Sequence, residues 1–300
     1  MPARTGEDCN GSREREGVMI LVGVDGSQAG LDAVGWAVRE AELRRTALRV
    51  VHVMPTWASE MPEDARYADV GRWMRGGAAD MLEQGVERAR QEGRPVEVES
   101  RLLAGDPRLS LIEAAREAEL LVVGSHGLGG FRGMLLGSVA LGVAGHTACP
   151  VAVVRTPPAE PNGQIVVGVD GSAAGADAVA FAFTEACARG TELRAVHAWS
   201  GPVIEGAPRL LEPAAQLEGE EQRVLAEALA GLRGRYPDVK VVEQAEHGHP
   251  VDVLKDASAT ADVLIVGSRG RGDLTGLLLG SVSHSLLHHA ACPVIVVPSR

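Results

Sequence analysis

A chain of 300 residues has room for about two domains, and a hydrophobic fraction of 45% can supply each with a core. Acidic residues outnumber basic ones by 40 to 29, for a formal charge of −11, which argues against nucleic acid or an anionic membrane surface as the main partner. No apolar run is long enough to span a bilayer, and lysine occurs only at Lys240 and Lys255, so arginine carries the positive charge.

Residues 1–17, "MPARTGEDCNGSREREG", place charged and small residues where a signal peptide needs an apolar centre. They read as a disordered leader on a cytoplasmic chain. A first domain is expected over 18–155. Its strands are the β-branched runs "VMILVGVD" (18–25), "ALRVVHVM" (47–54), "VEVESRLL" (96–103), "ELLVVGS" (119–125) and "PVAVVR" (150–155). Several are apolar throughout, as strands of a parallel sheet covered on both faces should be. Between the first two, Leu31, Val34, Val38 and Ala41 recur at helical spacing, and Ser27 stands where an N-cap is wanted. A proline-rich linker, 156–164, precedes a second domain over 165–300.

That second domain repeats the first. "ILVGVDGSQAGLDAV" (20–34) returns as "IVVGVDGSAAGADAV" (165–179), and "ALRVVHVM" as "ELRAVHAW" (192–199), both at an offset of 145. From "AGDP" (104–107) against "HGHP" (247–250) onward the offset is 143. Ser172 repeats the N-cap, and Ala176, Val179, Phe183 and Ala186 repeat the helical face. Five strands alternating with four helices in each copy give an α/β fold: two tandem, doubly wound, Rossmann-like domains with right-handed crossovers.

In such sheets ligands bind beyond the carboxyl ends of the strands, where the winding reverses. Two carboxyl ends carry loop chemistry. The fourth strand runs into "GSHGLGGFRGMLLGS" (124–138), repeated as "GSRGRGDLTGLLLGS" (267–281). Glycines at 124, 127, 129, 130 and 133 can turn several N–H groups toward one anion. Gly137 and Ser138 then open a helix, with Ser138 as cap and phosphate donor. The alternative is a tight turn or lid, and duplication with preserved spacing favours phosphate. The first strand ends in "VDGS", where Asp25 and Asp170 can accept from ribose hydroxyls or an adenine amino group, or close an Asx-turn at the strand-to-helix corner.

The remaining polar residues point to binding rather than catalysis. Neither copy has GxGxxG spacing, a GK[ST] loop or a GxSxG elbow. His52 and His197 sit inside the second strands as wall residues. His146 and His289 fall near the end of the last helices. His284 and His288 are four apart, a spacing that suits either a metal or a polar helix face. Cys9, Cys149, Cys187 and Cys292 form no CxxC pair and read as reduced, buried thiols.

The spacing G-x2-G-x9-G-S, at Gly124, Gly127, Gly137, Ser138 and at Gly267, Gly270, Gly280, Ser281, resembles the universal stress protein family in its tandem, ATP-binding form. "VGVDGS" opening and "CPVAVV" or "CPVIVV" closing each copy add to the likeness, which covers nearly all of 18–298. The resemblance implies a cytoplasmic stress-response regulator that binds ATP with Mg²⁺, one nucleotide per domain, on a sheet ordered 3-2-1-4-5. No lysine stands in either glycine loop and no Walker Asp–Mg²⁺ pattern is evident, so no catalytic residue is assigned; the alternative is a slow ATPase or another adenine-nucleotide enzyme of the same fold. By carry-over, the strand ends at Gly23 and Gly168, with Asp25 and Asp170, meet ribose or adenine, and the backbone of Val53 and Ala198 lies against adenine. The phosphate contacts fall on Gly124, Ser125, His126, Gly127, Leu128, Gly129, Gly130, Gly137, Ser138 and Val139. In the second copy they fall on Gly267, Ser268, Arg269, Gly270, Arg271, Gly272, Asp273, Gly280, Ser281 and Val282. Asp273 and Thr275 replace Gly130 and Arg132, which points to a tighter first site. The final strands are expected to join the domains, and a homodimer is expected as well.

Overall fold

Runs of valine, isoleucine and leucine form the central strands because both faces of the sheet are covered there. The computed structural model describes residues 19–127, 136–155, 161–200, 214–271 and 279–299, the side chains of 214–216 excepted. The chain divides into two units between Pro157 and Pro158. The first contains β1 (Met19–Gly23), α1 (Gln28–Arg44), β2 (Ala47–Met54), α2 (Thr56–Ser59), α3 (Ala68–Gln91), β3 (Val98–Ala104), α4 (Pro107–Ala114), β4 (Ala118–Gly124), α5 (Ser138–Ala144) and β5 (Val151–Val154). The second contains β6 (Gln164–Gly168), α6 (Ala176–Arg189), β7 (Glu192–Trp199), α7 (Ala214–Arg235), β8 (Val241–His247), α8 (Pro250–Ser258), β9 (Val263–Gly267), α9 (Ser281–His289) and β10 (Val294–Val297).

Strand order is β3-β2-β1-β4-β5 in the first unit and β8-β7-β6-β9-β10 in the second. The pairs within each unit are parallel. This is the expected 3-2-1-4-5 order, so β1 lies between β2 and β4, and Val22 faces Val50 on one side and Val122 on the other. Winding reverses there, which opens a crevice at the carboxyl ends of β1 and β4. α1 packs beside α3 and α4 beside α5; right-handed crossovers send the two pairs to opposite faces.

The central strands carry the core. Ile20, Leu21, Val22, Leu48, Val50, Leu120, Leu121 and Val122 are essentially inaccessible, as are Ile165, Val166, Leu193, Leu264 and Ile265. Each large side chain so buried contributes about 1.5–3 kcal/mol. Edge strand β3 instead reads half-exposed, and Arg49 on β2 reaches across to Glu99 with Nε and Nη2 at 3.0 and 2.9 Å from one carboxylate oxygen. Charge along the edge discourages further pairing.

Several details depart from expectation. Val34, Val38 and Ala41 are buried on α1, but Leu31 is only half-buried. In the second unit Ser172 caps a 3₁₀ turn, Ala173–Gly175, before α6, and this leaves Ala176 exposed. A fifth helix, the single turn α2, seats Ala58 against Met54, Ala78 and Met74. α5 stops at Ala144, so His146 lies beyond its end. Cys149 and Cys292 are buried free thiols, and Cys9 lies outside the described residues. Cys187 is disulfide-bonded, which corrects the reading of it as a reduced thiol; chain spacing does not report which cysteines a fold brings together.

Candidate functional site

The turn after β1 is built by its own residues. Gly26 has φ 82°, and Gly171 has φ 72° at the same place in the second unit, a conformation that disfavours ordinary side chains. Asp25 bends back over this turn, its Oδ1 accepting from Ser27 N at 3.0 Å and Ser27 Oγ at 2.6 Å. Ser27 Oγ in turn accepts from Gly30 N at 3.1 Å and caps α1. Asp170 and Ser172 repeat the arrangement at 2.9, 2.8 and 3.1 Å. The Asx-turn is therefore real, and it fixes the carboxylate at the crevice.

The glycine loop is closed at its base by backbone alone. Gly137 N donates to Ser125 O at 2.7 Å, and Gly280 N to Ser268 O at 2.7 Å. Ser125 and Ser268 also extend the sheet, donating to Val154 O at 2.8 Å and Val297 O at 2.7 Å. Bare backbone is required at Gly124, where a Cβ would stand 2.6 Å from the Ala29 carbonyl at the start of α1. Gly127 is tighter still: its Cβ would overlap Asp25 Oδ2, as that of Gly270 would overlap Asp170 Oδ2. Arg271 N meanwhile donates to Asp170 Oδ2 at 3.0 Å, tying the second loop to the first strand's end.

Between these parts lies a pocket of about 390 Å³ in the first unit and one of about 620 Å³ in the second, sizes suited to a small-molecule ligand. Gly23, Asp25, Val53, Gly124, His126, Gly127, Gly137, Ser138 and Val139 line the first. Gly168, Asp170, Ala198, Gly267, Arg269, Gly270, Arg271, Gly280, Ser281 and Val282 line the second. Ser125 and Ser268 line neither: they are buried, with Ser125 Oγ 3.0 Å from His126 Nδ1 and Ser268 Oγ accepting from Ser299 N at 3.3 Å. Leu128, Gly129, Gly130, Gly272 and Asp273 lie outside the described residues, as do Arg132 and Thr275.

One role is corrected. Ser138 and Ser281 are the first helical residues rather than caps; the caps are Gly137 and Gly280, in extended conformation. The first N–H groups of α5 and α9 have no carbonyl one turn back, and Ser138, Val139, Ser281 and Val282, which carry them, line the pockets. His52 and His197 act as wall residues, each with Nδ1 against a carbonyl, Val24 O at 2.8 Å and Val169 O at 2.6 Å. His284 and His288 stand with ring centroids 5.0 Å apart, and no cluster of three or more metal-ligating side chains occurs among the described residues.

The sequence did not disclose the apolar floor. Pro107 and Leu111 from α4 line the first pocket, and Pro250 and Leu254 from α8 the second. Gly23 leaves room for Leu111 and Gly168 for Leu254, whose methyls lie 3.4 and 3.0 Å from where a Cβ would be. The paired "DP" and "HP" were the signal: proline at the first helical position after Asp106 or His249 starts each helix at the crevice. Asp106 Oδ1 accepts from Arg108 N and Leu109 N at 3.0 and 3.2 Å, and these bonds hold its carboxyl below the usual aspartate range.

Comparison with known proteins agrees with this geometry. The family model for the Universal stress protein family matches residues 19–155 and again 161–298. Two universal stress proteins of Mycobacterium tuberculosis are similar over nearly the full length. One is 39% identical over 292 residues, covering 95% of this chain and 98% of the relative. The other is 37% identical over 284 residues, covering 92% and 95%. Among solved structures, a universal stress protein from Archaeoglobus fulgidus shares the fold with a TM-score of 0.68 at 22% identity, covering 94% of this chain and 96% of that one. Among the described residues no helix is long and apolar enough to cross a membrane.

Proposed function

The chain belongs to the universal stress protein family, and from that premise we propose that it binds adenine nucleotide, ATP with Mg²⁺, one per unit, as a cytoplasmic nucleotide-dependent regulator. The observation that carries the reading is the pairing, made twice, of a glycine loop pressed against the carboxylate at the end of the first strand: Gly127 on Asp25 and Gly270 on Asp170. In each unit this pairing frames a pocket with an apolar floor and a rim of backbone N–H groups, which suits a ligand apolar at one end and anionic at the other.

The division of labour follows from the walls. Val51, Val53 and Leu111 in the first pocket, and Val196, Ala198 and Leu254 in the second, offer apolar surface to a base. Asp25 and Asp170 line the pockets beside these walls, where a carboxylate can accept from ribose hydroxyls. Phosphates fall to the helix starts at Ser138 and Ser281, with His126 in one pocket and Arg269 and Arg271 in the other. The donor set fits a triphosphate that brings its own Mg²⁺, whose charge offsets that of the phosphates. Ser138 and Ser281 are the hydroxyls placed to approach it.

The test is direct. Protein purified without added ligand is expected to release ATP or ADP on denaturation, approaching two nucleotides per chain by mass spectrometry. Absence of adenine nucleotide, together with no ATP binding at millimolar concentration, would overturn the reading.

A further inference from the structure

The two pockets differ at one corner. Met81 packs over Gly26 in the first unit and Val224 over Gly171 in the second, which aligns α3 with α7 at an offset of 143 and places Glu221 where the first unit has Ala78. Ala78 is buried with Met54 and Ala58, sealing that corner off from the first pocket. In the second unit Trp199 and Glu221 line the pocket itself, which is larger by more than half.

Glu221 is held in place. His197 Nδ1 lies 2.6 Å from Val169 O, which can only accept, so Nδ1 bears a hydrogen. His197 Nε2 lies 2.7 Å from Glu221 Oε2, and a single proton is shared between them. Whichever atom carries that proton, Oε1 remains an acceptor. It has no hydrogen bond among the described residues, and the Glu221 side chain is 24% exposed, enough to be reached from the pocket. His52 makes the matching bond to Val24 O, with no carboxylate beside it among the described residues.

We propose that Glu221 is a specificity-determining residue of the second pocket, where Oε1 accepts a hydrogen bond from the exocyclic amino group of a purine nucleotide, and that the first pocket lacks this selection. The proposal rests on the nucleotide reading given above. A carboxylate beside phosphate would be repelled; Glu221 is bonded to His197, the neighbour of Ala198 at the base end, whereas Ser281 opens α9, where the phosphates are proposed. An acceptor on a largely apolar wall gains most from a ligand that brings a donor and loses most from one that does not.

The experiment compares ATP with purine riboside 5′-triphosphate, which has hydrogen in place of the 6-amino group. Both are titrated calorimetrically into the full chain, as wild type, Glu221→Ala and Glu221→Gln, with thermal melts to confirm folding. In the wild type one of two sites is expected to prefer ATP by about 10- to 100-fold, the range of a charge-assisted hydrogen bond. Glu221→Ala should abolish that preference while the other site is unchanged. Glu221→Gln should keep a reduced preference of about 3- to 10-fold: with Nδ1 bound to Val169 O, a neutral His197 takes the amide N–H at Nε2 and leaves the amide oxygen to the ligand. If both sites bind ATP and purine riboside triphosphate equally, or Glu221→Ala keeps the wild-type ratio, this inference fails and the nucleotide reading stands. If neither triphosphate binds the wild type, the nucleotide reading fails and takes this inference with it.

Discussion

Replacing Gly127 with alanine tests how the loop and the first strand work together. Gly127 does not have the positive φ that would itself exclude alanine, so the change acts through space alone. The new Cβ would overlap Asp25 Oδ2. Turning Asp25 aside gives up Ser27 N at 3.0 Å and Ser27 Oγ at 2.6 Å and loosens the α1 cap, at about 1.5–3 kcal/mol for each bond to a charged group. Moving the loop away is cheaper, because its base stays fixed by Gly137 N to Ser125 O at 2.7 Å. A displaced loop loses one or two hydrogen bonds to the phosphates, about 1.4–2.8 kcal/mol, or 10- to 100-fold in affinity at the first site alone. Gly270→Ala should do the same at the second site, where Asp170 also holds Arg271 N at 3.0 Å. Calorimetric titration of ATP with a two-site fit, alongside a thermal melt, reads both effects. Two wild-type affinities in Gly127→Ala would refute the reasoning, and loss of the folded first unit would show that the contact is structural.

Two further outcomes concern stability. Burial pushes the Cys149 thiol from 9.0 up to about 11 and Cys292 up to about 12; a group raised in the folded state contributes stability that is whole below pH 9 and is lost as pH rises toward those values, about 1.4 kcal/mol per pH unit for each thiol. Denaturant melts between pH 8 and 11 should show the decline, and iodoacetamide at pH 8 should label the Cys149 and Cys292 peptides only after unfolding; rapid labelling of the native protein would contradict it. Arg45 ends α1 at φ 53° where Gly190 ends α6 at φ 62°. Since that conformation costs a non-glycine residue about 1–2 kcal/mol and glycine's freer unfolded chain takes back about 0.5–1, Arg45→Gly should stabilise the first unit by about 0.5–1 kcal/mol in urea melts, and a destabilised variant would be the contrary result.

What was legible in the sequence is what local rules control. Apolar β-branched runs bounded by turn residues read as covered strands, and Ser27 and Ser172 read as caps where "VDGS" turns through a glycine, so element order and the crevice follow. The side chains lining the crevice are less visible because the same pattern serves two purposes. Leu111 and Leu254 look like any core-facing leucine on a short helix, and only the absence of Cβ at Gly23 and Gly168 reveals that they floor a pocket. Ser125 and Ser268 lie within the loop motif, yet they sit one residue beyond β4 and β9, where the sheet and the loop's base claim their backbone. Glu221 carries no signal in one dimension: a glutamate on a polar helix is ordinary until His197, 24 residues earlier, is found beside it.

Duplication supplies an internal control, since each copy tests which features the pocket needs. The bond from the turn serine to the aspartate, the Gly–Ser closure of the loop, the loop glycine against the carboxylate and the histidine Nδ1 on a carbonyl recur in both units. All of these set backbone geometry. The differences fall on side chains at the two ends: His126 against Arg269 where phosphates are proposed, Ala78 against Glu221 where the base is proposed. The second pocket thus adds a carboxyl beside His197 and two arginines from its loop, so that on the reading proposed above charge as well as shape acts on a ligand there. In the first pocket the base end is apolar, so shape and the helix start must fix the direction. On the reading proposed above, one backbone design serves two pockets that differ in how they meet a base, and exchange of Ala78 and Glu221 is the smallest change that separates them.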